Sequence, residues 1–117
     1  MKRSLTRKER LSNKREIAAL FTQAKKIEGE GIKLYFLPNQ REFNRILITV
    51  RRGFRTAVRR NRQKRILRDI YRNNKSIMKQ GFDLGFVLIQ EESSFQALQA
   101  GFFKLLDKTG LADDKKR

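Results

Sequence analysis

Apolar residues recur along the chain at two spacings, and these spacings predict six elements. Ile17, Leu20, Phe21 and Ala24 fall at i, i+3, i+4 and i+7, one stripe of a helix over about residues 13–24 with Ser12 as its N-cap. Lys25 to Gly31 is polar with two glycines and reads as a loop. Ile32 to Leu37 alternates as a strand, with Ile32, Leu34 and Phe36 on one face and Lys33, Tyr35 and Leu37 on the other. Pro38 and the polar run to Asn44 make a turn. Arg45 to Val50 is β-branched and almost continuously apolar, which predicts a central strand buried on both faces. Thr56 can cap a helix from Ala57 to about Asn73. After a turn over residues 74–81, Phe82 to Ile89 predicts another buried strand. Ser94 can cap a last helix to about Lys108, with Phe95, Leu98, Phe102, Leu105 and Leu106 as its apolar stripe. The order α-β-β-α-β-α in 117 residues predicts one small α+β domain spanning residues 1–117. Residues 1–11 are expected to form a mobile basic segment and 111–117 a frayed tail.

The middle helix departs from an ordinary amphipathic pattern. Arg51 to Arg72 reads RRGFRTAVRRNRQKRILRDIYR, and ten of its 22 residues are Arg or Lys against one acid, Asp69. At about 100° per residue, Asn61, Arg65, Arg68 and Arg72 form one stripe, with Ile66, Leu67, Ile70 and Tyr71 roughly opposite. The apolar stripe exists only in the second half. The helix should therefore be anchored by its C-terminal turns and project a polar, charged N-terminal half. Arg59, Arg60, Arg62, Lys64, Arg65 and Arg68 repel one another at these spacings, and cations sit badly at the positive end of a helix. Such a local conflict is tolerated mainly where function demands it.

Composition sharpens this. The formal charge is +17, which asks for a polyanion, nucleic acid before an anionic membrane surface. No apolar run is long enough to span a bilayer, and no apolar segment follows the basic N-terminus as in a signal peptide, so a cytoplasmic protein is expected. Cysteine and histidine are absent, so there is no disulfide framework, no thiolate metal site and no imidazole base. Glu91-Glu92 and Asp113-Asp114 read as solvated acids, leaving no candidate catalytic residue and no metal ligand set. A DNA-reading helix would need a preceding helix at helix-turn-helix spacing, where this chain has a strand. Structured RNA, gripped through its phosphates by arginine forks, fits better than DNA or a membrane.

The residues Ala57-Val58-x-Arg60-Asn61-Arg62-x-Lys64-Arg65-x-x-Arg68 resemble the signature of the bacterial ribonuclease P protein subunit. The likeness extends over most of the chain, through Arg10-Leu11, Phe21, the Tyr35 strand, the Ile46 to Val50 strand and Asp83. It implies a small α/β sandwich like the second domain of ribosomal protein S5, with the basic helix in a left-handed βαβ crossover. It further implies a protein that is not itself catalytic. Its partners would be a catalytic ribonuclease P RNA, whose bound Mg²⁺ serves the cleavage, and precursor tRNA, whose 5′ leader is removed. Carried over by position, Arg51, Arg52, Arg55, Arg59, Arg60, Asn61, Arg62, Lys64, Arg65 and Arg68 would contact the catalytic RNA. Phe21, Tyr35 and Ile17 would line a cleft for the leader. Two departures stand out. Gly53 lies two residues before the family's usual glycine position, where this chain has Arg55, and Ile17 replaces a usual aromatic. The competing expectation is a ribosomal protein or RNA chaperone that binds structured RNA without a role in cleavage.

Overall fold

In the computed structural model, which describes residues 7–113, three helices and a four-stranded sheet form. Helix α1 covers Lys14–Gln23, α2 Ala57–Asn74 and α3 Phe95–Thr109; the strands are β1 Lys25–Glu28, β2 Ile32–Pro38, β3 Arg45–Val50 and β4 Phe82–Leu88. The sheet order is β1-β2-β4-β3, with β3 and β4 parallel and the other pairs antiparallel. Each helix begins where a short polar side chain caps it. Asn13 accepts from the Arg15 and Glu16 amides at 2.9 and 3.1 Å, so the first cap is Asn13 and not Ser12. Thr56 accepts from Arg59 and Ser94 from Ala97, both at 3.1 Å, as expected for α2 and α3.

One sheet face carries Ile32, Leu34, Ile46, Ile48, Leu84, Phe86 and Leu88, all buried against α2 and α3. Among the described residues, α1 is the helix that crosses the other face, over β2 and β4. There Gly85 decides the fit. A Cβ on it would lie 2.8 Å from Cδ2 of the fully buried Leu20, so glycine lets α1 lie directly on the strand.

Four expectations fail for identifiable reasons. Lys25 to Glu28 is a strand, its polar side chains tolerated because β1 is an exposed edge. β3 is also an edge and not central, because its partner strand arrives later in the chain and inserts between β2 and β3. Part of the segment expected to be mobile is packed instead. Arg7–Glu9 forms a 3-10 turn, Leu11 is buried, and its amide donates to the Ile46 carbonyl at 2.8 Å, covering that end of β3. The tail is likewise ordered as far as Asp113. Gly110 takes a left-handed φ of 71°, turning Leu111 and Ala112 into the core, where Ala112 bridges to Met78. The rest of both expected mobile segments, residues 1–6 and 114–117, lies outside the described residues.

Candidate nucleic-acid interface

Helix α2 buries Leu67, Ile70 and Tyr71 in its second half. Its first half does not project freely. Gln63 is buried there; its side-chain nitrogen donates to the Ser93 carbonyl at 3.1 Å and its oxygen accepts from the Ser93 amide at 3.3 Å. One amide thus fastens the charged turns to the β4–α3 loop, and the same loop claims part of the charge. Arg59 reaches Glu92 at 3.2 Å and Glu91 at 3.8 Å, and the Arg55 amide donates to Glu91. The acidic pair expected to be merely solvated therefore holds the start of the helix in place.

Arg51 is also engaged. Its guanidinium donates to the carbonyls of Ile89 and Arg52 at 2.5 and 2.9 Å, and lies 5.9 Å from the ring of buried Phe54. Gly53, at φ 101°, makes the turn that sends Phe54 inward. This chain thus builds its own turn before α2, with the glycine displaced and Arg55 free to take an ordinary backbone conformation. Arg52, Arg55, Asn61, Arg62, Arg65 and Arg68 are exposed, and Arg60 and Lys64 half-buried. None of the eight forms an ion pair among the described residues. The result is a cationic face fixed from behind and lacking counter-charges of its own.

The second group of predicted residues comes together on the other side of the sheet. Phe21 and Tyr35 meet edge to face with ring centroids 4.8 Å apart, and Ile17 lies half-buried on the same helix one turn earlier. Strand register places Lys26 beside Tyr35, and Lys33, Val87 and Thr49 in the next row, beyond Tyr35 and Gly85. An open strip thus runs from the aromatic pair along the sheet toward Arg51. Sequence reasoning placed Lys33 on the face of Tyr35 without making it part of the cleft, and missed Lys26. Lys26 was hidden in a supposed loop, whereas Gly85 inside an apolar run was a visible sign of close backbone approach.

The opposite end of α1 is pinned by charge. Arg45 donates to both oxygens of Asp83 at 2.9 and 2.8 Å and to both of Glu16 at 3.1 and 2.7 Å. These bonds, that to Glu16 first, raise the Arg45 pKa above its ordinary value, and the Arg45 contact holds the Glu16 carboxyl below the usual carboxylate range. One guanidinium thus answers two carboxylates at this end of α1, and Glu28 pairs with Lys33 at 3.8 Å at the edge of the strip. Among the described residues no three His, Cys, Asp or Glu side chains come together as a metal-ion donor set.

A sequence model of the Ribonuclease P family matches residues 5–110. The chain belongs to the ribonuclease P protein family. The ribonuclease P protein component of Thermotoga maritima is 33% identical over 108 residues, covering 92% of each protein. That of Caldanaerobacter subterraneus subsp. tengcongensis is 32% identical over the full length of both. Among solved structures, the Thermotoga maritima RNase P protein in complex with 1-(4-fluorophenyl)-2-thiourea matches at TM-score 0.77 and 30% identity, over 85% of this chain and 98% of that one. The Staphylococcus aureus RNase P protein matches at TM-score 0.80 over 89% of this chain and 97% of that one; at 18% identity it speaks for the fold alone. The mixed α+β fold with four strands and three helices is that of ribonuclease P proteins.

Proposed function

We propose that the chain is the protein subunit of a ribonuclease P ribonucleoprotein, an endonuclease that removes the 5′ leader of precursor tRNA. The observation that carries this reading is the cationic face of α2, fixed by Gln63 and Leu67 from behind and, among the described residues, without ion-pair partners for Arg60, Arg62, Lys64, Arg65 and Arg68. Arg60, Asn61, Arg62, Lys64, Arg65 and Arg68, with Arg52 and Arg55 before the helix, would grip phosphates of the catalytic RNA. Arg51 and Arg59, engaged within the protein, would chiefly shape that face. The strip of Phe21, Tyr35, Ile17, Lys26 and Lys33 would hold the single-stranded leader, rings against bases and ammonium groups against phosphates. The Mg²⁺ that serves cleavage would belong to the RNA, and the chain's own part is binding and orientation in the cytoplasm.

The test is precursor-tRNA cleavage by the catalytic RNA at low Mg²⁺, with and without this protein. The wild-type chain should raise the rate, and Asn61→Ala and Arg65→Ala should each lower that gain roughly tenfold. A rate indifferent to the protein would leave a binder of structured RNA, a ribosomal or chaperone role. Tighter binding to duplex DNA than to folded RNA at matched salt would point to a regulator instead.

A further inference from the structure

Beside the arginine stripe, with Arg68 on the rim they share, lies a hollow of about 360 Å³ away from the leader strip. Its floor is the outer edge of β3, Ile46 to Ile48. Arg10 and Ser12 flank it on the N-terminal segment and Arg68 on α2. The segment carrying Arg10 follows β3 for only one bridge, at Ile46, before turning away into α1. In a parallel pair alternate residues bond to the neighbouring strand, so Ile48 presents its N–H and C=O outward just as Ile46 does. Among the described residues no backbone group meets them. Arg10 and Arg68 are both exposed and form no ion pair among those residues.

We propose that this hollow is a binding site for one unpaired nucleotide of the catalytic RNA. Half-buried Leu47 at the edge of the sheet offers an apolar surface for the face of a base. The open peptide groups of Ile48 offer one donor and one acceptor to its edge, and the two guanidinium groups bracket the adjoining phosphate. The volume lies within the range of small-ligand sites. A polypeptide strand could use the same backbone edge but would leave both arginines unanswered. The catalytic RNA is the source because Arg68 shares its stripe with Asn61 and Arg65, whereas the aromatic pair lies against β2. The inference rests on the reading that α2 meets that RNA.

The full chain is titrated with the catalytic RNA, and separately as the assembled ribonucleoprotein with precursor tRNA bearing or lacking its leader. Arg10→Ala should weaken binding to the catalytic RNA about tenfold. Ser12→Trp fills the hollow without removing charge and should do the same; both replace exposed side chains that are not the helix cap. Arg10→Ala with Arg68→Ala should lose less than the product of the two single effects. Dimethyl sulfate should show one unpaired base protected by the wild-type chain and exposed by either variant. Unchanged affinity and protection in both variants, with the wild type binding normally, overturns the site. An effect confined to leader-bearing substrate assigns the hollow to the leader and overturns it too. A wild-type chain that fails to bind the catalytic RNA overturns the functional reading beneath it.

Discussion

At the scale of single residues, the cleft depends on two positions that carry no RNA-binding chemistry. Gly85 lets α1 approach the sheet, and Gly85→Ala would drive a methyl into Leu20, with Phe21 3.6 Å from the same point. Chemical denaturation should show a loss of about 1–3 kcal/mol. The contribution of the leader to precursor-tRNA affinity should fall more than affinity for the catalytic RNA, because the aromatic pair is displaced and α2 is not. Glu16 is the second position. Its folded-state pKa is depressed, so the stability it lends is complete above its ordinary value of 4.5 and lost as pH falls through the lower folded value. Glu16→Gln should therefore be less stable than the wild type near neutrality, with the difference shrinking on acidification below about pH 4.5. Thermal unfolding from pH 3 to pH 7 measures this.

At the scale of elements, α2 shows what was legible and what was not. Its cap, length and two stripes could be read because period and capping are local properties of the sequence. Its attachment could not, since Gln63 looks like one more polar residue in a polar half-helix until the chain 30 residues on returns beside it. The same limit explains β3. A continuous apolar run signals burial, but Ile46 and Ile48 are covered by α2 while the strand's outer edge is met by Arg10 and Leu11 only at Ile46, and nothing local distinguishes that from a central strand. The cationic residues of α2 were legible because charge needs no partner to be noticed. The strip around Tyr35 was only half legible: Lys33 shares its face by strand alternation, but Lys26 joins it through strand register. Gln63→Leu should strand the Ser93 N–H and C=O and cost about 1–2 kcal/mol of stability by urea denaturation. It should also weaken catalytic-RNA binding although no charge changes, because Arg59 to Lys64 lose their fixed backing.

At the scale of the whole molecule, 29 basic residues face 12 acidic ones, and among the described residues Glu16, Glu28, Glu30, Asp69, Asp83, Glu91 and Glu92 are engaged in ion pairs. The excess positive charge is left for the partner. With about six phosphate contacts, the logarithm of the RNA binding constant should fall against the logarithm of salt with a slope near −5, and a slope shallower than about −2 would exclude the α2 face as the main contact. The sheet order carries a consequence for synthesis on the ribosome. β2 and β3 do not touch; only β4 joins them. Until residue 88 has left the exit tunnel the sheet cannot close, yet all ten cations of residues 51–72 have already been made. The nascent chain thus displays its polyanion-binding charge before it has a fold to present it. Any RNA that meets the chain at that stage encounters an extended polycation, and selectivity begins only when the last strand slots into the middle.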